Sequence, residues 1–303
     1  MARTALYAKK QAGGIFTFTN EGETTGSKFW VHNGTGTDGA AYGQSPDTPC
    51  ASTDYANGLC TASKGDRIYL MPGHAETLIA ATSCVLDIAG IQVIGLGTGA
   101  LRPLFTYTTD AGATISITAA NVHVENIQCL AAFTNGITAG ITVAATADGL
   151  RLKNIRMEES LITQEFLIGV SVAAACHDVI IDGFEFYGID GGTDSSAIIF
   201  VGASNYSKVK NFYIVGDFSG AIIDALTAKS LYMEIGPGVG TNIDTSAGLT
   251  VSVKSDTTGW GHDMRLCGIL DTVAPAGAAF SWSEVYVTNA LGVQGILKPA
   301  ADT

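Results

Sequence analysis

The chain has 303 residues, of which 47% are hydrophobic and 15% charged, with 37 glycines and a formal net charge of −12. This composition excludes a disordered chain and predicts many turns around a tightly stacked interior. The balance of 16 basic against 28 acidic side chains disfavours nucleic-acid binding, which usually needs a basic face.

The first 27 residues are polar and punctuated by glycine, so they predict an N-terminal arm or capping segment. They lack the continuous apolar core of a secretory signal. The chain contains no run of about 18 apolar residues, so no membrane span is predicted. The elements expected next are a strand at Phe29–Val31, a turn-rich loop, a helix over about Ser52–Ala62 with Ser52 or Thr53 as N-cap, and a strand from Asp66 to Met71 stopped by Pro72-Gly73. A helix laid across the first coil would cover its open edges.

From Gly90 onward, a sequence pattern recurs in which apolar and polar residues alternate. In each copy the alternation shifts by one residue and then resumes. In DGLRLKNIRMEE the slip falls at Asn154, after which Ile155 and Met157 continue the apolar face. Within one flat strand, a slip would turn the later side chains to the wrong face. The slip always falls at Asn or Gly, which tolerate a positive φ best, so each slip predicts a corner between two short strands. The predicted corner column is Gly95, Asn126, Asn154, Gly183, Asn211 and Gly268.

These corners recur at a nearly constant interval, since the first five are 31, 28, 29 and 28 residues apart. A period of this length without room for a helix predicts a stacked coil, so the expected fold is an all-β, right-handed parallel β-helix. Asparagines at equivalent corners are expected to form a ladder of side-chain amide bonds. The coil and its capping segment are expected over residues 28–271, and residues 272–303 are expected to form a C-terminal cap or subunit contact.

A group of N-terminal residues carries a family resemblance: Asp38-Gly39, Ser45-Pro46-Asp47-Thr48-Pro49, Tyr55-Ala56, and Gly65-Asp66 to Pro72-Gly73. Followed by coils, this unit resembles the entry to the pectate-lyase-like β-helix superfamily, and in style its bacteriophage virion members. That superfamily includes polysaccharide lyases and hydrolases, phage tailspikes and non-catalytic virion decorations. The resemblance is therefore more specific for fold than for function.

Outward carboxylates are the first candidates for chemistry, because glycosidic cleavage needs an acid and a base that flank the bond. The acidic candidates are Asp182 with Glu185, Glu158 with Glu159, and Asp190 with Asp194. The motifs Asn-Thr-Asp, Asp-Asp, Gly-His-Gly and Arg-Ile-Lys of pectin hydrolases do not occur, so solvated outward positions are favoured for these acids and no catalytic residue is predicted.

Other residue types give weaker signals. Tyr187, Tyr213 and Tyr232 lie near rung corners and could form a platform for a carbohydrate, although interface packing or scattered surface aromatics are favoured. No metal site or cofactor is predicted, because the histidines His74, His123, His177 and His262 lack ligand spacing and the glycine-rich runs at Gly95 and Gly236 do not open a helix. The six scattered cysteines predict free buried thiols, with a Cys50–Cys60 bridge as the leading exception.

Together with the resemblance, these observations predict a non-enzymatic structural protein of a tailed-phage virion. A capsid decoration protein is favoured slightly over a tail spike or fibre. It would be made in the host cytoplasm and mounted as a homotrimer on the major capsid protein or another virion protein, through residues 1–27 and the loop Asn33–Pro49. Two alternatives remain open. One is a depolymerase that cuts host surface polysaccharide with carboxylates such as Asp182 and Glu185, and the other is a carbohydrate-binding module without turnover.

Overall fold

The computed structural model is a right-handed parallel β-helix, which confirms the predicted fold class. Its chain winds repeatedly through three short strands, and each strand pairs in parallel with its equivalent one rung away. The structure describes residues 26–192, 194–225 and 232–243, the last with backbone alone at 242. Elsewhere it describes only the backbone of the strands β1, β2 and β22–β27, whose bounds follow.

The strands are numbered in chain order. They are β1 Lys9–Lys10, β2 Phe16–Thr17, β3 Lys28–Val31, β4 Arg67–Leu70, β5 Ala75–Leu78, β6 Cys84–Leu86, β7 Gln92–Gly95, β8 Leu104–Tyr107, β9 Ile115–Ile117, β10 His123–Ala131, β11 Ile141–Val143, β12 Arg151–Glu159, β13 Ile168–Val172, β14 Ile180–Asp182, β15 Glu185–Tyr187, β16 Ser196–Phe200, β17 Lys208–Lys210, β18 Phe212–Gly216, β19 Ile223–Ala225, β20 Glu234–Ile235, β21 Gly238–Asn242, β22 Val253–Ser255, β23 His262–Arg265, β24 Cys267–Leu270, β25 Phe280–Ser283, β26 Tyr286–Thr288 and β27 Gln294–Ile296. The helix α1 spans Thr53–Leu59, and a 3₁₀ turn spans Gly99–Leu101.

Three sheets run along the coil. The first contains β3, β4, β7, β14, β17, β20, β23 and β25, and the second contains β5, β8, β15, β18, β21, β24 and β26. The nine-residue strands β10 and β12 bend from the first sheet into the second and so belong to both. The third sheet has seven strands, β6, β9, β11, β13, β16, β19 and β22.

The corner between the first and second sheets lies where the alternation slips. Asn126, Asn154, Gly183 and Asn211 occupy one register column, with φ values of 60°, 51°, 73° and 53°. The left-handed residue turns the chain while the apolar side chains on either side of it continue to face the interior. The slip at Asn154 is thus a bend within β12, not the end of a strand.

Two members of the predicted column behave differently. Gly95 lies in register with Asn126, but its φ is not left-handed, because the chain leaves the coil there through a loop to β8. Gly268 pairs with Val239, two positions beyond the corner register, so its assignment to the column is corrected. The sequence slip near Gly268 was matched by residue type, which cannot fix a register by itself.

The corner amides do not form the expected ladder within the described part of the coil. The Asn126 Nδ2 donates to the backbone carbonyls of Gly95 and Gly97 at 2.8 and 3.0 Å, and the Asn211 Nδ2 donates to Asp182 Oδ1 at 2.8 Å. The Asn126 and Asn211 amides therefore donate to the acceptors that lie nearest on the preceding rung.

Replacing Asn154 tests the corner. Alanine tolerates a positive φ poorly, so Asn154→Ala is expected to lower the free energy of unfolding by about 1–2 kcal/mol. Asn154→Gly is expected to stay within about 0.5 kcal/mol of the wild type, because glycine adopts this geometry freely. Urea unfolding of both variants beside Lys153→Ala, an exposed neighbour, measures the difference. Equal stability of the Ala and Gly variants would contradict the role assigned to φ.

A second left-handed column, which the sequence did not reveal, lies between the third and first sheets. Its members all stand two residues before a strand of the first sheet and are Gly65, Gly90, Asn121, Gly149, Asp178, Tyr206 and Tyr232. Backbone N–H groups in this column donate one rung along, as from Gly90 to the carbonyl of Ala120 at 3.0 Å. From β10 to β17, each stretch of chain in the first sheet therefore lies between two residues of positive φ.

Inward side chains stack in columns that fill the coil. One column of the second sheet consists of Phe105, Cys129, Met157, Phe186 and Ile214, each at most 1% exposed. The third sheet supplies Ile115, Ile141, Val170, Ile198 and Ile223 in the same manner. Because every rung repeats the pattern, the core is continuous along the described coil.

The helix α1 begins one residue after its cap, Ser52, whose side chain accepts from the Tyr55 N–H at 3.3 Å. It ends at Leu59, three residues before the predicted end. The N–H and hydroxyl of Thr53 both donate to Glu76 Oε2, at 3.0 and 2.6 Å. His74 completes this buried cluster: its Nδ1 accepts from the Asn33 N–H, so its Nε2 carries the proton toward Glu76. His74 is thereby structural.

The remaining sequence expectations concern the cysteines and the termini. Among the described residues, Cys50, Cys60, Cys84, Cys129 and Cys176 are buried free thiols, so Cys50 and Cys60 are not bridged. Most of residues 1–27 and 272–303 lie outside the described residues, and the domain boundaries stay predictions. Within the predicted C-terminal cap, β25 and β26 pair in parallel with the coil.

Candidate functional site

The outer face of the first sheet carries cross-rung ion pairs. Glu125 pairs with Lys153 at 2.8 Å, and Lys208 pairs with Glu234 at the same distance. Asp182, one of the sequence candidates, contacts Lys210 Nζ at 3.1 Å. Partial burial alone would raise the pKa of Asp182, but hydrogen bonds from Asn211 and Lys210 lower it. Asp182 is thus an ionised, fully engaged carboxylate, which does not suit a general acid.

The outer face of the second sheet has a different arrangement, centred on Arg156. Its Nε donates to Glu158 Oε1 at 2.6 Å and its Nη2 contacts the same oxygen, while its Nη1 lies 3.6 Å from Glu185 Oε2. Gln128 Nε2 donates to the other oxygen of Glu158 at 2.6 Å. One guanidinium therefore holds two carboxylates from adjacent rungs, on diagonal positions with Cβ atoms about 8 Å apart.

Two tyrosines extend this face along the coil. Tyr187 lies below the Arg156 guanidinium, whose Cζ is 4.6 Å from the ring centroid. Tyr213, on the next rung, is 45% exposed, and its ring centroid lies 5.7 Å from that of Tyr187. Burial and the nearby Glu185 carboxylate raise the pKa of Tyr187, so its hydroxyl stays a hydrogen-bond donor at neutral pH. Tyrosines of this kind combine an apolar face with a polar edge.

A surface pocket of about 330 Å³ adjoins the carboxylates and is lined by Gly99, Ala100, Arg102, Gln128 and Arg156. Arg102 is anchored by its Nη2, which donates to the carbonyl of Asn154 at 2.6 Å. The pocket exists because the loop after Gly95 leaves the coil at this rung. Arg102, Gln128, Arg156, Glu158, Glu185, Tyr187 and Tyr213 are called the second-sheet site below.

A second acidic group lies buried beneath the loops that connect the second and third sheets. Glu159, Glu165, Asp194 and Asp217 reach this point from three successive rungs, and Asp194 is fully buried. Glu159 accepts backbone N–H groups from Phe166 at 2.9 Å and Ile189 at 3.1 Å, so it ties two loops together. Although Glu158 and Glu159 are adjacent in sequence, their side chains lie in different surroundings because successive side chains along a strand point to opposite faces.

Neither oxygen of Asp194 accepts a hydrogen bond. Its side chain instead faces the carboxyl of Glu159, and two carboxyls in contact need a proton between them. Burial, then the charge of Glu159, raises the pKa of Asp194 to about 10, and burial raises the pKa of Glu159 to about 7. The pair therefore retains at least one proton at neutral pH.

This pair makes stability fall with rising pH. An unfolded aspartate titrates near pH 3.9, so between that value and the raised pKa of Asp194 the unfolded chain releases a proton that the folded protein keeps. The contribution of this group to the free energy of unfolding is fully present below about pH 4 and is lost as the pH rises. Asp194→Asn, which keeps the neutral shape, is expected to exceed the wild type in free energy of unfolding by about 1–3 kcal/mol at pH 9.

Chemical denaturation at pH 5, 7 and 9 measures this effect. Asp190→Asn, an exposed aspartate of the same loop, is the matched control and is expected to follow the wild-type profile. Parallel pH profiles for the wild type and Asp194→Asn would refute the shared proton.

The other sequence candidates do not assemble a site in the described residues. His177 Nδ1 accepts from the Asn205 N–H at 3.0 Å, and His123 lies 3.5 Å from Glu125 at a partly exposed position. The side chain of His262 is outside the described residues. No group of three or more His, Cys, Asp or Glu side chains within the described chain is arranged to hold a metal ion. The described helices include none long and apolar enough to cross a membrane.

Comparisons with known proteins place the fold. No protein-family model and no curated protein matches the chain. Two crystal structures of the GH136 lacto-N-biosidase from Eubacterium ramulus do match. The native protein has a TM-score of 0.53 at 11% identity, and the selenomethionine derivative has 0.51 at 12%. In both comparisons 82% of this chain is covered, and it spans 57% of the other chain.

These neighbours correct the functional prediction. The expected non-enzymatic virion protein is contradicted by these two structures, which are of a glycoside hydrolase. The prediction failed because it relied on style within a superfamily whose coil serves both enzymes and structural proteins. The homotrimer and the virion location stay predictions. At 11–12% identity, the likeness shows the β-helix fold and not an activity.

Proposed function

We propose that the chain is a glycoside hydrolase that works at the second-sheet site. The observation that carries the proposal is the pair Glu158 and Glu185, held from adjacent rungs by the single guanidinium of Arg156. Hydrolysis of a glycosidic bond needs two carboxyl groups that flank the bond, one to protonate the leaving oxygen and one to act on the sugar or on water. The β-helix shared with a glycoside hydrolase supports this assignment.

The contacts of the two carboxylates differ and suggest their roles. Glu158 accepts hydrogen bonds on both oxygens, from Gln128 and Arg156, and this fixed carboxylate is assigned the role of base or nucleophile. Glu185 makes only the longer contact of 3.6 Å with Arg156 and is free to approach the leaving oxygen as the acid. Tyr187 and Tyr213 provide the aromatic surface on which a sugar ring stacks, and the pocket beside Arg102 receives the adjoining part of the glycan.

Glycan binding without turnover is the second candidate. It is favoured by the same ion pairs, because Arg156 occupies Glu158 until a substrate displaces the guanidinium. Both functions place a glycan on the same tyrosines. They differ in whether products appear.

The test is an assay for products. Purified protein is incubated with p-nitrophenyl β-lacto-N-bioside, with bacterial capsular polysaccharide and with lipopolysaccharide, and nitrophenol, reducing ends and unsaturated ends are measured. Release of product that is abolished in the double variant Glu158→Gln/Glu185→Gln supports hydrolysis at this site. Product that persists in the double variant refutes the site, and retention of the glycans without product favours binding alone.

A further inference from the structure

Tyr206 and Tyr232 occupy positions where the rest of their corner column uses smaller residues. In the column between the third and first sheets, the other members are Gly, Asn or Asp. The two tyrosines have φ values of 60° and 56°, a conformation that is strained for a bulky side chain. Strained positions kept on adjacent rungs point to a function that the smaller residues cannot supply.

The two rings form one exposed aromatic surface. Their centroids lie 5.4 Å apart with an angle of 12° between planes, so they are parallel and offset. Tyr206 is 55% exposed and Tyr232 is 57% exposed, which places them among the most exposed large hydrophobic side chains of the described chain. Packing within the coil therefore does not explain their presence.

The turn beneath Tyr206 is fixed by buried hydrogen bonds. Ser204 Oγ donates to the carbonyl of Cys176 at 2.6 Å and lies 2.7 Å from Ser207 Oγ, which accepts from the Val179 N–H at 3.1 Å. Ser204 and Ser207 are both fully buried. The ring of Tyr206 is thus carried on a rigid support, which lowers the entropy lost when a ligand binds.

Ion pairs flank the rings along the first sheet. Lys208 pairs with Glu234 at 2.8 Å on the same two rungs, and Arg151 pairs with Asp178 at 2.8 Å on the rungs before them. These groups offer hydrogen-bond donors and acceptors beside an apolar ring face. That combination suits a sugar ring, which presents C–H groups on its faces and hydroxyls at its edge.

We infer that Tyr206 and Tyr232 form a non-catalytic binding site for a glycan. Two side chains are far too small a surface for a stable protein partner, which needs about 800 Å² on each side. The site is separate from the second-sheet site, because it lies at the opposite edge of the first sheet. It would hold a polymeric or branched substrate against the coil while cleavage occurs elsewhere.

The test uses the residue that the column itself employs at Asn121. In Tyr206→Asn/Tyr232→Asn, affinity for glycans is expected to fall at least about tenfold, which corresponds to losing one good contact. The thermal midpoint is expected to stay level or rise, because asparagine relieves the strain at φ near 60°. Tyr206→Phe/Tyr232→Phe, which keeps both rings, is expected to retain most of the affinity.

Binding is measured on an array of cello-, xylo-, chito- and galacto-oligosaccharides with lacto-N-tetraose. All proteins carry Glu158→Gln/Glu185→Gln, so that no glycan is cut and failure of the hydrolase proposal does not affect the readout. A wild-type corner that binds no glycan, or an asparagine variant that binds as tightly as the wild-type corner, overturns the inference. A loss of binding accompanied by a lower midpoint in the asparagine variant but not in the phenylalanine variant would show a structural role and overturn it as well.

Discussion

Glu185→Gln is expected to lower kcat of the proposed hydrolysis by about 10²–10⁴, the range typical of removing a general acid or base. The amide keeps the size of the side chain and can still lie beside Arg156, but it cannot deliver a proton. Because Glu185 makes one long ion-pair contact, its loss is expected to leave KM and the thermal midpoint nearly unchanged. Steady-state kinetics on p-nitrophenyl β-lacto-N-bioside, or on whichever substrate the product assay identifies, measures both constants.

The chain offers a matched control in Glu125, another partly exposed glutamate on the outer surface, which pairs with Lys153. Glu125→Gln removes the same charge from the first sheet and is expected to leave kcat within about twofold, since surface substitutions away from a site have small effects. If Glu125→Gln and Glu185→Gln lower kcat equally, the effect is one of general charge, and Glu185 is not the acid.

Phe186→Ala is expected to lower the free energy of unfolding by about 3–5 kcal/mol, the usual cost of truncating a buried phenylalanine. Phe186 is fully buried between Met157 and Ile214 in its column, and its ring centroid lies 5.4 Å from that of Phe218. The value should fall at the upper end of this range, because the cavity cannot collapse easily.

Glycines explain that rigidity. A Cβ on Gly169, Gly188 or Gly216 would lie within 3.2 Å of the Phe186 ring. The ring is therefore surrounded directly by backbone atoms of neighbouring strands and loops. Backbone in paired strands relaxes less than side chains do, and a cavity that stays open costs more. The glycines are therefore required by close approach to the ring.

Tyr187→Ala serves as the control for Phe186→Ala, because the next residue along the strand points to the opposite face. Its loss removes the contacts with Arg156 and Tyr213 and is expected to cost at most about 1.5 kcal/mol. Chemical denaturation compares the two variants. Equal destabilisation would mean that the second sheet does not bury Phe186 as described.

The β-helix and its inward face could be read from the sequence, because both depend on local patterns. Alternation with period two identifies the inward residues, and residues that accept a positive φ mark where the chain bends. Asn126, Asn154, Gly183 and Asn211 were identifiable because each interrupts an otherwise regular alternation. Gly268 looked the same by residue type, but only strand pairing showed it to lie two positions past the corner.

Tertiary structure alone decided the features on which function depends. The second corner column was hidden because it includes Tyr206 and Tyr232, which are not residues that a sequence marks as left-handed. The partner of Glu185 depends on which residue lies one rung away: register pairs it with Arg156, 29 positions earlier, and so with Glu158, whereas Asp182 lies around the corner on another sheet. Local periodicity fixes which way a side chain points, but the residues that meet across rungs are set by the accumulated lengths of the intervening turns.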